Sequence, residues 1–117
     1  MTYLDRGLAL LLLLGAVFHT YGTLALLPAG SEVWVWSLGA ALAAFLVAVL
    51  NLLRPARSGD KVLVGLTAFA SFAWALVAFG FGKAIGNIMD PRVIWHYVCG
   101  LGLGFMSLRA LATAPKG

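Results

Sequence analysis

The sequence predicts an all-α integral membrane protein, a four-helix bundle whose N-terminus and C-terminus are both cytoplasmic. Of its 117 residues, 62% are hydrophobic and only 10% are charged, whereas about half of a soluble domain is apolar and about a quarter is charged. The charged residues are unevenly spaced, so that they separate four long uncharged runs. Lysine and arginine are also more frequent on one side of these runs than on the other. These three observations predict the fold class.

Each uncharged run is interpreted as one membrane-spanning helix. A span needs about 20 residues, because a helix rises about 1.5 Å per residue across about 30 Å of hydrocarbon. Helices are expected because hydrocarbon offers no partner for open backbone hydrogen bonds. The spans are expected at residues 7–27, 33–53, 62–82 and 92–110. Together they form a single transmembrane domain, residues 1–117.

The fourth span is the shortest of the four. Its uncharged run covers residues 93–108, so Arg92 and Arg109 have to reach outward to the headgroups from its ends. Helix starts are indicated by Asp60 before the third run and by Asp90 before Pro91. An acidic cap followed by proline at the first helical position is typical of a helix N-terminus.

The distribution of basic residues predicts the orientation, because lysine and arginine concentrate in cytoplasmic loops. With the N-terminus inside, six basic residues lie at the cytoplasmic ends of the spans and two lie outside. The inner residues are Arg6, Arg54, Arg57, Lys61, Arg109 and Lys116, and the outer residues are Lys83 and Arg92. We therefore expect a multi-pass protein, in a bacterial inner membrane. The alternative is that the first span is a cleaved signal peptide, but Asp5 disagrees with a purely basic leader.

Small residues mark the helix faces that are expected to meet. In lipid, helices associate through close backbone approach, so small side chains three or four positions apart indicate a packing face. The second span has a row of alanines that ends in an asparagine, and the fourth has a glycine-xxx-glycine pair. These residues are Ala40, Ala44, Ala48 and Asn51 on the second span, and Gly100 and Gly104 on the fourth.

The chain has two histidines, and both are expected to face other helices. His19 shares its helix face with Gly15 and Thr23, and His96 shares its face with Gly100. Ionisable side chains within a span avoid lipid and face the bundle interior. Both histidines lie in the outer halves of their spans, so the two rings are within reach of each other.

Three roles are open for this pair of histidines. Two histidines on neighbouring helices are the minimum for bis-imidazole haem ligation, which makes haem the cofactor to consider. Alternatively, two neutral imidazoles hydrogen-bond to hydroxyl or backbone groups and need no cofactor. A proton-carrying role is the third, because imidazole titrates near physiological pH. No metal site is expected, since the usual clusters of metal-ligand residues are absent.

A second group of polar residues is expected at the outer mouth of the bundle. Lys83 ends the third run and shares a face with Asn87. Together with Arg92 and the two histidines, these side chains predict a vestibule that attracts anions. The alternative for Lys83 is that its ammonium group simply extends to the headgroups.

Other chemistry is not indicated by the sequence. The eight basic residues are scattered singly, so a nucleic-acid partner is excluded. There is no nucleophile elbow and no carboxylate pair, so no catalytic residue is assigned. The expected partners are the lipid bilayer and either further copies of the chain or a larger membrane complex.

Three functional hypotheses remain. The first is a structural or accessory subunit. The second is a small oligomeric transporter, since size, four spans and small packing faces resemble the small multidrug resistance transporters. The glutamate that those transporters carry in their first span is absent, so His19 would have to be the proton-coupled group. The third is a haem-binding or lipid-substrate protein that uses His19 and His96.

Overall fold

The structure is a computed structural model, and it describes residues 2–114 of the chain. Within this range the chain forms the helices α1 (Thr2–Leu26), α2 (Glu32–Leu53), α3 (Lys61–Ala84) and α4 (Pro91–Thr113), with a 3₁₀ turn at Arg54–Arg57. The all-α prediction is therefore confirmed. Lys116, which the orientation prediction counted, lies outside the described residues.

Three of the helices, α1, α2 and α3, are long and apolar enough to cross a membrane. In the described part of the chain, α4 is not among them. His96, Arg109 and three glycines lie within α4 and lower its mean hydropathy. Length and composition therefore support three of the four expected spans.

The helix ends follow from capping chemistry that the sequence already indicated. The Asp60 carboxylate accepts a hydrogen bond from the backbone N–H of Leu63 at 3.0 Å. The Asp90 carboxylate accepts one from the backbone N–H of Arg92 at 2.9 Å, with Pro91 as the first helical residue. These bonds satisfy backbone donors that have no partner within the helix.

The end of α3 depends on Gly86. Its φ of 70° lies in the left-handed region that favours glycine. This conformation lets the N–H of Asn87 bond the carbonyl of Gly82 at 2.9 Å, and the N–H of Gly86 bond the carbonyl of Lys83 at 3.1 Å. The pair of bonds is a Schellman motif, and it turns the chain away from the axis of α3.

The four helices form an elongated bundle with Cα extents of 52 × 24 × 22 Å. The most extensive packing joins α1 to α2 and α3 to α4, while α1–α4 and α2–α3 contacts are fewer. Short connections join consecutive helices, which makes them antiparallel. Large apolar side chains cover the outside of the bundle, including Tyr21, Trp36, Phe69 and Leu76 at 71–73% exposure. Such a surface is suited to contact with lipid.

Most of the small residues that the sequence singled out lie at helix seams. Ala44 and Ala48 are fully buried in the core, and Ala40 packs beside them at partial exposure. A Cβ at Gly100 would lie 3.0 Å from the Ser71 carbonyl oxygen and 3.0 Å from the Ala75 Cβ. Glycine at this position therefore lets α4 approach the backbone of α3.

Gly104 is packed in a similar way, against a side chain. A Cβ at this position would lie 2.8 Å from the Phe72 ring. The edge of the Phe72 ring in turn meets Phe105, with ring centroids 5.3 Å apart. The glycine-xxx-glycine pair of α4 thus faces α3.

Buried polar groups link the helices at the end of the bundle that contains Asp5. The Asn51 side-chain amide donates to Ser71 Oγ at 2.9 Å, which joins α2 to α3. Thr67 and Ser107 join α3 to α4 through their hydroxyls at 3.2 Å. All four side chains are fully buried, so each bond replaces one that water cannot supply.

Arg54 occupies a different environment from the one that its position in the sequence suggested. The sequence placed it among the topology-setting charges of a loop, but its side chain is 3% exposed and forms an ion pair with Asp5 at 2.5 Å. The pairing is possible because α1 begins at Thr2 rather than near residue 7, so Asp5 lies on its first turn.

We expect Gly100→Ala to lower the free energy of unfolding by about 1–3 kcal/mol, because the added methyl group meets backbone atoms that cannot move aside. Gly80→Ala is the matched control, since a Cβ at Gly80 meets nothing within 4 Å. The measurement is unfolding of both variants in mixed micelles, followed by helical circular dichroism. Equal stability of the two variants would contradict the close approach of α3 and α4.

We expect Arg54→Ala to destabilise the bundle by about 3–5 kcal/mol, because it leaves the Asp5 carboxylate buried without its partner. Arg57→Ala removes a nearby arginine that is exposed, so it is the control and should change stability by less than about 0.5 kcal/mol. The same unfolding assay measures both. A small effect at Arg54 would show that the carboxylate reaches water.

Candidate functional site

The two histidines of the described chain lie together at the end of the bundle opposite Asp5. His19 projects from α1 and His96 from α4, and their ring centroids are 6.3 Å apart with an interplanar angle of 78°. The edge of one ring faces the other. The structure thus brings together the two residues that the sequence suggested as a pair.

Gly15 allows α4 to place His96 against α1. A Cβ at Gly15 would lie 3.1 Å from His96 Nε2 and 3.0 Å from Trp95 Nε1. The Trp95 indole also donates a hydrogen bond to the Leu11 carbonyl oxygen at 2.8 Å. The missing side chain of Gly15 and the anchored indole therefore set the position of His96.

The hydrogen bonds around His19 fix which of its ring nitrogens carries the hydrogen. Thr23 Oγ1 donates to the His19 carbonyl oxygen at 2.8 Å, which uses its only hydrogen. The contact of 2.6 Å between Thr23 and Ser37 then needs the hydrogen of Ser37. The contact of 3.0 Å between Ser37 Oγ and His19 Nε2 must therefore use a hydrogen on Nε2. His19 thus donates through Nε2, and its Nδ1 is an acceptor.

The tautomer of His96 is fixed from α3. Trp74 Nε1 donates to His96 Nδ1 at 3.3 Å, and the two rings meet edge to face with centroids 5.5 Å apart. An indole N–H is a donor only, so Nδ1 must accept and the ring hydrogen lies on Nε2. The sequence contained a signal for this contact, because Trp74 lies in mid-span, away from the interfaces where tryptophan is enriched.

Each imidazole keeps one ring nitrogen without a partner in the described chain. These are the acceptor Nδ1 of His19 and the donor Nε2–H of His96. The fully buried polar atoms that lack a partner within residues 2–114 are Asn51 Oδ1 and Arg54 Nε, at the opposite end. The two histidine nitrogens are not among them, so they remain accessible from the surrounding space.

That space consists of two adjoining cavities of about 350 Å³ and about 140 Å³. The larger is a cleft between α1 and α4, with Ser37 of α2 as part of its wall. The smaller lies against Trp74 and Ala78 of α3. His19, Arg92 and His96 line both cavities. The histidine pair therefore stands where the two spaces meet.

The charge of Arg92 is compensated within the site. Its Nε donates to one Asp90 carboxylate oxygen at 2.9 Å, and its Nη2 donates to the other at 2.8 Å. These hydrogen bonds lower the pKa of the Asp90 carboxyl to about 2. The guanidinium also lies over the Phe81 ring, with 5.5 Å between its Cζ and the ring centroid. Arg92 thus brings hydrogen-bond donors to the cavities without an unbalanced charge.

Lys83 and Asn87 lie away from this site. Both side chains are exposed, and neither residue lines either cavity. The Asn87 side chain instead accepts a hydrogen bond from the backbone N–H of Met89 at 3.1 Å, within its own loop. Of the polar residues expected in a vestibule, Arg92 and the two histidines come together.

The donors around the histidines do not fit bis-imidazole haem ligation. A ligating histidine binds the metal through one nitrogen and donates the hydrogen of the other to an acceptor. If His96 bound iron through Nε2, the hydrogen on Nδ1 would face the N–H of Trp74, which is also a donor. His19 satisfies the rule through Nδ1, because Ser37 accepts the hydrogen on its Nε2, so the mismatch lies at His96.

Comparison with protein-family models, with curated proteins and with solved structures finds no match to this chain. The chemistry of its own side chains is therefore the basis for a functional proposal.

Proposed function

We propose that this chain is a small four-span integral membrane protein that binds a lipid-soluble ligand by its polar head in the cleft between α1 and α4. The proposal rests on one observation: His19 and His96, each with one ring nitrogen that has no partner in the described chain, both line a cavity of about 350 Å³. This is the lipid-substrate form of the third hypothesis from the sequence, without haem.

The lining of the cleft supports such a ligand. Binding sites for small molecules are mostly apolar, with a few placed polar groups, and have volumes of about 300–1,000 Å³. Here the apolar wall includes Phe18 and Leu26, which are 59% and 82% exposed on the outside of the bundle. A ligand dissolved in the bilayer would therefore enter sideways, between α1 and α4.

Binding is favoured over proton-coupled transport or catalysis by the distribution of carboxylates. A coupled carrier uses an ionisable residue at mid-depth, whereas His19 lies nearer the end of α1 and His96 nearer the start of α4. In the described chain, neither cavity is lined by a carboxylate, and the buried Asp5 pairs with Arg54 at the other end of the bundle. A protein that holds a ligand without transforming it is suited to an accessory role in a larger membrane complex. We therefore combine the accessory hypothesis with ligand binding.

The same proposal includes the topology, with both termini in the cytoplasm of a bacterial cell and all four helices across its inner membrane. α4 has 23 residues, about 34 Å at the helical rise, which exceeds the ~30 Å of hydrocarbon. It runs antiparallel to α3 and packs along it. If α3 crosses the bilayer, the two ends of α4 reach the same two surfaces.

Cysteine labelling tests this topology. In a Cys99→Ala background, which removes the buried natural thiol, we expect Asn87→Cys to react with a membrane-impermeant maleimide in intact cells. Ser58→Cys should react only after lysis. Both positions are exposed, so access to the reagent decides the outcome. The reverse pattern would invert the orientation, and reaction of both positions in intact cells would contradict the four-span topology.

Ligand binding is tested with a cavity-filling variant. Gly22 lines the cleft, and a Cβ there meets nothing within 4 Å, so Gly22→Leu adds a side chain to the cleft with no clash at its Cβ. We expect it to weaken binding of ω-bromodecanol by roughly tenfold or more, since the chain of the ligand loses its room. Bromine quenching of Trp74 and Trp95 reports binding once Trp34 and Trp36 are replaced by phenylalanine.

The matched control for this variant is Gly39→Leu. Gly39 is exposed on α2, lines neither cavity and has no atom within 4 Å of an added Cβ. The Gly39→Leu variant should bind ω-bromodecanol with the same affinity as the unmodified chain. Quenching that does not saturate, or that is equal in both leucine variants, would contradict the proposed cleft.

A further inference from the structure

The hydrogen-bond pattern of the histidine pair also indicates the chemical class of the ligand, an inference that rests on the proposed function. Of the two accessible ring nitrogens, His19 Nδ1 offers a lone pair, because its hydrogen lies on Nε2 and is donated to Ser37. His96 Nε2 offers a hydrogen, because its Nδ1 accepts from Trp74. The site therefore presents one acceptor and one donor, on rings with centroids 6.3 Å apart.

A single oxygen that both donates and accepts matches this pair. A hydroxyl group donates its hydrogen to one nitrogen and accepts a hydrogen bond from the other. An ether or ester oxygen accepts only, so it would leave the His19 lone pair without a partner when the ligand fills the cleft. An unmet polar group of this kind costs affinity.

The charges around the cleft favour a neutral head group over an anion. Arg92 is the cationic side chain that lines the cavities, and the Asp90 carboxylate already holds two of its donor positions. Lys83 is exposed elsewhere and lines neither cavity. A carboxylate or phosphate would thus gain little attraction while losing its hydration on entering the cleft.

We infer that the ligand is a lipid-soluble alcohol or phenol whose hydroxyl bridges His19 Nδ1 and His96 Nε2–H, with its apolar part in the cleft between α1 and α4. Ser37 and Trp74 are positioning residues for this recognition. They do not need to contact the ligand, because they act by holding each imidazole in one tautomer.

Three matched probes test the head group in the full-length protein with the two-tryptophan background described above. They are ω-bromodecanol, its methyl ether and ω-bromodecanoate. All three have a brominated ten-carbon chain, and they differ in the head group, which is a hydroxyl, an ether or a carboxylate. We expect the alcohol to bind about tenfold more tightly than the ether, the effect of one lost hydrogen bond that leaves a partner unmet. The carboxylate should also bind more weakly than the alcohol.

A second variant separates positioning from simple packing. In Ser37→Ala, nothing holds the hydrogen on His19 Nε2, so the ring can move it to Nδ1 and donate to the ether. We expect the ratio of the binding affinities for alcohol and ether to fall toward one. Ser58→Ala, in the exposed turn at the other end of the bundle, should keep the affinity ratio of the unmodified chain. Nitrogen NMR of ¹⁵N-labelled histidine in lipid should show both rings with hydrogen on Nε2.

The outcomes distinguish the inference from the proposed function. One outcome is saturable binding that Gly22→Leu weakens, with equal affinity for the alcohol and the ether. It would overturn the hydroxyl inference, while the proposed binding in the cleft would stand. Tightest binding of bromodecanoate would overturn it as well and identify an anion site. An NMR spectrum that places the hydrogen on Nδ1 of either ring would remove the structural basis of the hydroxyl inference. Absence of saturable binding by all three probes would overturn the proposed function itself.

Discussion

The buried polar side chains of this bundle have no water to bond, so each depends on a partner from a neighbouring helix. Near one end, the Asp5–Arg54 pair joins α1 to the turn after α2. Near the other, His19 joins α1 to Ser37 of α2. Further links of this kind connect α2 to α3 through Asn51 and Ser71, and α3 to α4 through Thr67 and Ser107 and through Trp74 and His96. The polar contacts thus join every consecutive pair of helices.

These links matter because apolar packing alone specifies little in lipid. Lipid hydrocarbon is as apolar as a leucine side chain, so helices in lipid gain specificity from close packing and from hydrogen bonds. The α2–α3 seam has fewer contacts than the α1–α2 and α3–α4 seams, and there the buried Asn51–Ser71 bond gives the register. Glycine provides the close packing, since Gly15 and Gly100 allow the helices to approach each other and bring the polar partners within reach.

The same constraint accounts for the chemistry of the candidate site. Ser37 and Trp74 satisfy one nitrogen of each histidine, and in doing so they decide what the other nitrogen offers. Because these two bonds are already made, His19 keeps one free acceptor and His96 keeps one free donor at the cleft. The compensation of Arg92 by Asp90 follows the same rule at the edge of the bundle. Together these features favour a neutral, hydrogen-bonding ligand over haem or an anion.

The sequence by itself determined the features that depend on neighbouring residues. Hydropathy placed the helices, capping chemistry placed the starts of α3 and α4, and spacing indicated that His19 and His96 face the interior. Only the tertiary structure decided that Arg54 is buried against Asp5, that Lys83 and Asn87 lie outside the cleft, and which tautomer each histidine adopts. The physical reason is how far apart in the sequence the interacting residues lie. Helix formation follows from residues up to four positions apart, whereas an ion pair or a tautomer depends on which side chains another helix brings within hydrogen-bond distance.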